Sequence, residues 1–150
     1  MKQHRKIGIG AEGHLHKQFG SLMKKYEALK RLDCIFWSYS GSGEKRSLTT
    51  ASLLKAKGLK PGQPDYMFIK KRPDISTAYL TYPPQYKSID HYIYLEFKKP
   101  KTATAKGTQS ATQKDFQARF KDSINSRYYI VYSIDEALKV LEKEGILLIN

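Results

Sequence analysis

Gly62-Gln63-Pro64-Asp65-Tyr66-Met67-Phe68-Ile69 and Tyr92-Ile93-Tyr94-Leu95-Glu96-Phe97-Lys98 are the two stretches on which the fold turns. Each is a short run of β-forming residues with an acidic residue at one end, where an apolar one would be expected. Side chains two positions apart leave the same face of a strand, so Glu96 and Lys98 project together. Tyr92 to Leu95 is nearly continuous in apolar character, as in a strand covered on both faces, so a carboxylate and a lysine at its end need partners. Two carboxylates and a lysine on rigid strands have the chemistry to bind Mg²⁺ and to steer a water at a phosphodiester. Each residue also has a plainer reading: Asp65 as a turn residue before a strand, Glu96 and Lys98 as an exposed ion pair of small energetic worth.

Working outward, the chain reads α-β-α-β-β-α-β-α. Leu15, Phe19, Leu22, Tyr26 and Leu29 recur at spacings of four and three, which predicts a helix over 11–32. Cys34 to Tyr39 is rich in β-formers, and Ser40 to Arg46 reads as a basic loop. A short helix over 49–57, stopped by Gly58, precedes the turn into the strand 65–69. Residues 70–90 read as a long insertion with prolines and three tyrosines (Tyr79, Tyr82, Tyr86), which suit stacking on bases or packing against the domain. The strand 91–97, a small-residue basic loop, a helix over 110–123 and a strand over 128–132 follow. In the helix 110–123, Phe116, Phe120 and Ile124 share one side. Ser133 and Glu136 form a capping box for the last helix, Gly145 ends it, and 146–149 is a candidate edge strand. This order predicts one α/β domain over 1–150, with a mixed central sheet flanked by helices around a core at about 12–144.

Composition bounds the function. The 27 basic against 14 acidic residues give a formal charge of +13, which favours a polyanionic partner without arguing for catalysis. No apolar run approaches the roughly 18 residues of a membrane span, and the basic start is not followed by the apolar stretch of a secretory signal. The single cysteine, Cys34, excludes an internal disulfide framework and suits a reducing cytoplasm. Gly8 to Gly13 spells G-x-G-x-x-G with Asp33 beyond it, but no buried strand precedes the glycines, so no nucleotide cofactor is expected. His4, His14, His16 and Cys34 lack zinc-site spacing, and the histidines read as surface residues, possible neighbours of a nucleic acid.

Pro64-Asp65 followed by Glu96-Phe97-Lys98 resembles the PD-(D/E)xK nuclease superfamily. The flanks sharpen this. Gly58 to Asp65 looks like the turn before the first acidic strand of the virus-type replication-repair nuclease (VRR-NUC) domain. Leu95 to Lys99 looks like its second acidic motif, Ser110 to Phe116 its following helix, and Tyr129 to Ser133 its next strand. The resemblance runs from about Glu12 to Leu141 and implies a restriction-endonuclease-like core. It implies Mg²⁺ or Mn²⁺ held by Asp65, Glu96 and the Phe97 carbonyl, with Lys98 acting on the attacking water. It also implies catalytic roles for Gln113, which equally reads as the far half of a capping box with Ser110, and for Glu12 on the first helix. Lys45, Arg46, Lys99, Lys101 and Lys106 are the candidate contacts to DNA. The activity implied is hydrolysis of branched DNA such as a Holliday junction, in a bacterial or phage-infected cell, serving replication, repair or recombination; the two-fold symmetry of such a junction in turn suits a homodimer. The alternatives are a monomeric flap or nicking nuclease, and a basic module that binds nucleic acid on a nuclease fold without cutting it.

Overall fold

The computed structural model describes residues 11–41, 47–60, 62–74, 87–99 and 109–149. Its elements are α1 (Ala11–Ala28), β1 (Phe36–Tyr39), α2 (Leu48–Ala56), β2 (Tyr66–Asp74), β3 (Lys87–Phe97), α3 (Ala111–Arg119), β4 (Ser126–Val131) and α4 (Ile134–Lys143). The strands form one sheet in the order β1-β2-β3-β4. β1–β2 and β2–β3 are antiparallel, whereas β3 and β4 are parallel. A parallel pair needs a crossover, and α3 lies within it. The expected α/β fold, a mixed sheet flanked by helices, is what forms.

One face of the sheet carries the main core. Phe19 and Met23 of α1 pack with Ala137 and Leu141 of α4 against Tyr66, Phe68, Ile93, Leu95, Phe97 and Val131, and Ile146 and Leu147 close the end. The alternation of strand residues sends Tyr94 and Tyr128 to the other face, where α3 covers them with Phe116 and Phe120. Phe120 lies 5.3 Å and Phe116 5.8 Å from the Tyr94 ring, centroid to centroid. Ile124, expected in this group, is exposed because α3 has already ended. Among the described residues no helix is long and apolar enough to cross a membrane.

Three differences from the sequence reading change how the chain is connected. α1 stops at Ala28, not near residue 32, because Lys30 takes a left-handed conformation (φ 53°) and the Arg31 amide bonds back to the Tyr26 carbonyl at 2.8 Å. The freed chain then pairs with the C-terminal stretch. Asp33 N reaches Ile146 O at 2.7 Å and Leu148 N reaches Arg31 O at 2.9 Å, so 146–149 makes an isolated bridge beside α1 and adds no strand to the sheet. The insertion placed at 70–90 is largely strand: β2 and β3 stay in register from Tyr66↔Leu95 to Asp74↔Lys87. Its three tyrosines lie outside the described residues. β1 covers β2 only as far as Ile69, so Pro73 stands on a stretch with no strand on its outer side among the described residues, where its missing N–H costs nothing.

The charged residues of this extension are engaged at the far end of the sheet. Lys70 Nζ donates to Asp33 Oδ2 at 2.7 Å and to the Gly145 carbonyl. Arg72 Nη2 donates to the Glu144 carbonyl at 2.6 Å and to Glu144 Oε2 at 2.7 Å, while Arg127 Nη1 and the Tyr129 hydroxyl donate to Oε1. Glu144, buried at the C-terminal cap of α4, thereby ties that helix to β2 and β4. Burial pushes its carboxyl up, but the hydrogen bonds from Tyr129 and Arg72 and the charges of Arg127 and Arg72 outweigh this and hold it below the usual range. His91 is lowered, first by burial and then by Arg72 and Arg127.

Glu144→Ala removes the one acceptor shared by Arg72, Arg127 and the Tyr129 hydroxyl, and is expected to cost about 2 kcal/mol in urea unfolding. Because the folded carboxyl titrates lower than the unfolded one, its contribution is complete at neutral pH and is lost as pH falls below about 4.3. The stability gap between wild type and Glu144→Gln should therefore be widest near pH 7 and close in that acidic window.

Candidate active site

The turn before β2 is shaped to deliver one carboxylate. Gly62 has φ 84°, and a Cβ there would stand 2.5 Å from the Thr112 carbonyl oxygen, so only glycine lets this turn press against the start of α3. Pro64 is fixed by its carbonyl, which accepts from Ser40 Oγ at 2.7 Å, and Ser40 N continues the β1 ladder to Asp65 O at 2.8 Å. Asp65 follows, 3% exposed. The register that pairs Tyr66 with Leu95 sets Asp65 across from Glu96. The Phe97 amide donates to Asp65 Oδ2 at 2.7 Å, so the carboxylate closes the ladder where the backbone of β2 no longer can.

Glu96, at 1% exposure, is the most deeply buried charged residue among the described ones. Lys98 Nζ donates to Glu96 Oε1 and to Gln113 Oε1, both at 2.8 Å, as two-residue strand spacing predicts for the first contact. Gln113 Nε2 donates to the same Glu96 oxygen. Gln113 also serves its own helix. Its amide donates to Ser110 Oγ at 3.3 Å, and its Oε1 accepts from the Ser110 amide at 2.9 Å, a complete capping box. The two readings of Gln113 hold together: the cap locks the rotamer that meets Lys98 and Glu96. By contrast, the box expected at Ser133 forms only by half. Ser133 Oγ accepts from Glu136 N, but Glu136 Oε2 takes the Tyr132 amide at 2.9 Å.

Two further residues complete the surroundings. His16 lies on α1 with Nε2 3.8 Å from Asp65 Oδ2, its ring centroid 5.2 Å from that of Tyr39 and 5.4 Å from that of Phe97. His14 is exposed, as expected of it, but His16 is inside the site and not on the surface, because α1 turns that face onto the sheet. The Tyr128 hydroxyl is 3.5 Å from Glu96 Oε2. Burial pushes the phenol well above its ordinary value, and the charges of Glu96 and Asp65 push it further, so it stays protonated and can only donate to that carboxylate.

The structure thus brings together Asp65, Glu96, Phe97, Lys98 and Gln113. Glu12 falls in the first turn of α1, one turn ahead of His16, with its side chain outside the described residues. Lys99 is exposed beside Lys98, whereas Lys45, Arg46, Lys101 and Lys106 lie outside the described residues. Sequence reading missed His16 and Tyr128. The one usable signal for His16 was its i+4 spacing from Glu12; Tyr128 joins through its parallel pairing with Tyr94, which local sequence does not encode.

The donor set fits a hard cation. Asp65 and Glu96 offer carboxylate oxygens, the hard donors that Mg²⁺ or Mn²⁺ takes together with waters and substrate oxygens. Among the described residues no group of three or more His, Cys, Asp or Glu is placed to hold a metal ion. No protein-family model, curated protein or solved structure matches the chain.

Gly62→Ala tests the turn. It should combine left-handed strain of about 1–2 kcal/mol with a clash against α3. Gly58→Ala, with φ 96° and nothing within 4 Å of its Cβ, should show the strain alone. Urea unfolding of the two variants is expected to give the larger loss for Gly62→Ala.

Proposed function

We propose that this chain is a metal-dependent nuclease that hydrolyses DNA phosphodiester bonds, with a restriction-endonuclease-like catalytic core. The observation that carries the reading is the buried pairing of Asp65 and Glu96 across adjacent strands, with Lys98 bridged to Glu96 and Gln113. Burying two carboxylates beside one lysine does not repay itself in stability, and a cluster of that kind at the end of two strands marks a functional site.

Asp65, Glu96 and the Phe97 carbonyl are the groups that would hold Mg²⁺ or Mn²⁺, and a bound ion would supply Lewis-acid polarisation of the phosphate and a more acidic water. The remaining work falls to the chain. An ammonium has three donors, and Lys98 spends two on Glu96 and Gln113, leaving one for the attacking water or a non-bridging phosphate oxygen. Gln113, held by its cap, fixes the direction of that remaining N–H. Tyr128 donates to the far oxygen of Glu96 and keeps the carboxylate from rotating away. In-line attack by water would leave a 5′-phosphate and a 3′-hydroxyl.

The +13 charge supports a nucleic-acid substrate. Branched DNA such as a four-way junction is the proposed preference, cut by a two-fold dimer whose active sites face opposing strands. The test is incubation of labelled junction, flap, single-stranded and duplex DNA with Mg²⁺, Mn²⁺ or EDTA, using wild type and Asp65→Asn. Cleavage should require the metal and fall more than about 100-fold in the variant, since losing a metal ligand removes several kcal/mol of transition-state stabilisation. Symmetric nicks across the junction would support the dimer. Tight binding with no cutting of any substrate would overturn the nuclease reading in favour of a binding module.

A further inference from the structure

Between α3 and the start of β4 lies an open cavity of about 540 Å³ that the proposed chemistry does not use. Its walls carry Lys114 and Lys121 from the α3 side, with Gln117, Ser126 and Tyr128, and Arg127 from β4, whose guanidinium is already paired with Glu144 at 3.2 Å. No carboxylate lines it. Lys114 and Gln117 stand three apart on one edge of α3, and Lys121 follows in the turn just past its end. Ser126 is 8% exposed, and its Oγ has no hydrogen-bond partner among the described residues. A buried hydroxyl left unsatisfied is unusual and points to an acceptor supplied from outside. Tyr128 is a shared wall, since the same side chain reaches Glu96.

We propose that this cavity is a phosphate-holding groove that leads one nucleic-acid strand away from the catalytic carboxylates along α3. Lys114 and Lys121 neutralise backbone phosphates, and Ser126 donates to one of them. From Gln113 to the end of α3 at Arg119 is about 9 Å at the helical rise, the axial length of two or three nucleotide steps. The groove therefore reads the strand's backbone a few nucleotides from the scissile bond and carries no base specificity. It rests on the nucleic-acid reading above but not on cleavage.

Binding is therefore measured in EDTA, with fluorescent single-stranded and duplex DNA over a salt series. Lys114→Ala/Lys121→Ala is compared with Lys24→Ala/Lys139→Ala, which removes the same charge from exposed positions on α1 and α4, across the sheet from α3. The first pair should weaken strand binding at least about tenfold and lower the salt slope by between about one and two, while the second changes affinity less than about twofold. Ser126→Ala breaks no hydrogen bond among the described residues, so it should fold as well as wild type and still bind more weakly. Equal weakening by the two lysine pairs would overturn the proposal, leaving only bulk charge. It would also be overturned if a deoxynucleoside 5′-monophosphate bound in a Lys114/Lys121-dependent way while strand affinity stayed unchanged. A chain that cuts nothing, yet loses strand binding through Lys114 and Lys121, would sink the nuclease reading and keep the groove.

Discussion

The hydrogen bond from the Phe97 amide to Asp65 Oδ2 is the contact on which the rest of this structure depends. It finishes the β2–β3 ladder with a side chain in place of a backbone carbonyl. One acidic residue is thereby tied to the amide that directly follows the other. Everything near it serves that pairing: Gly62 lets the turn approach α3, Ser40 holds Pro64, and α3 brings Gln113 to Lys98. Taking two ionised carboxylates out of water costs several kcal/mol each, so a buried cluster of this kind is a poor source of stability. Such clusters are characteristic of functional sites.

The two ends of the sheet show opposite electrostatic solutions. At the Glu144 end a single carboxylate is surrounded by Arg72, Arg127 and Tyr129, and charge is overcompensated. That end is a clamp that fixes α4 to the strands and lowers the titration of its own carboxyl. At the Asp65 end two carboxylates meet across the strands, and burial first, then their charges, push Tyr128 upward. The register that sets Asp65 across from Glu96 is held along the whole length of β2 and β3.

Much of this was legible in the sequence because it is encoded locally. Glu96 and Lys98 meet through strand periodicity, the Ser110–Gln113 cap through helix-start spacing, and the element order through alternating β-type and helical runs. What was not legible depends on distant partners. Lys70, Lys71 and Arg72 read as the start of a long insertion until Asp33, Asp90 and Glu144 meet them from other elements and β2 runs on through them. His16 becomes a site residue only when α1 lies across the sheet, and Tyr128 only when β4 pairs in parallel with β3. Glu136 turns to the Tyr132 amide because that geometry is set by the β4–α4 corner, which capping statistics do not describe.

The central claim is that Asp65, Glu96 and Lys98 direct a water at a phosphodiester, and isotope tracing addresses it most directly. DNA incubated with the protein and Mg²⁺ in heavy-oxygen water should yield fragments whose 5′-phosphate carries one heavy oxygen and whose other end is an unlabelled 3′-hydroxyl. Products without the label, or with the phosphate left on the 3′ side, would contradict the account.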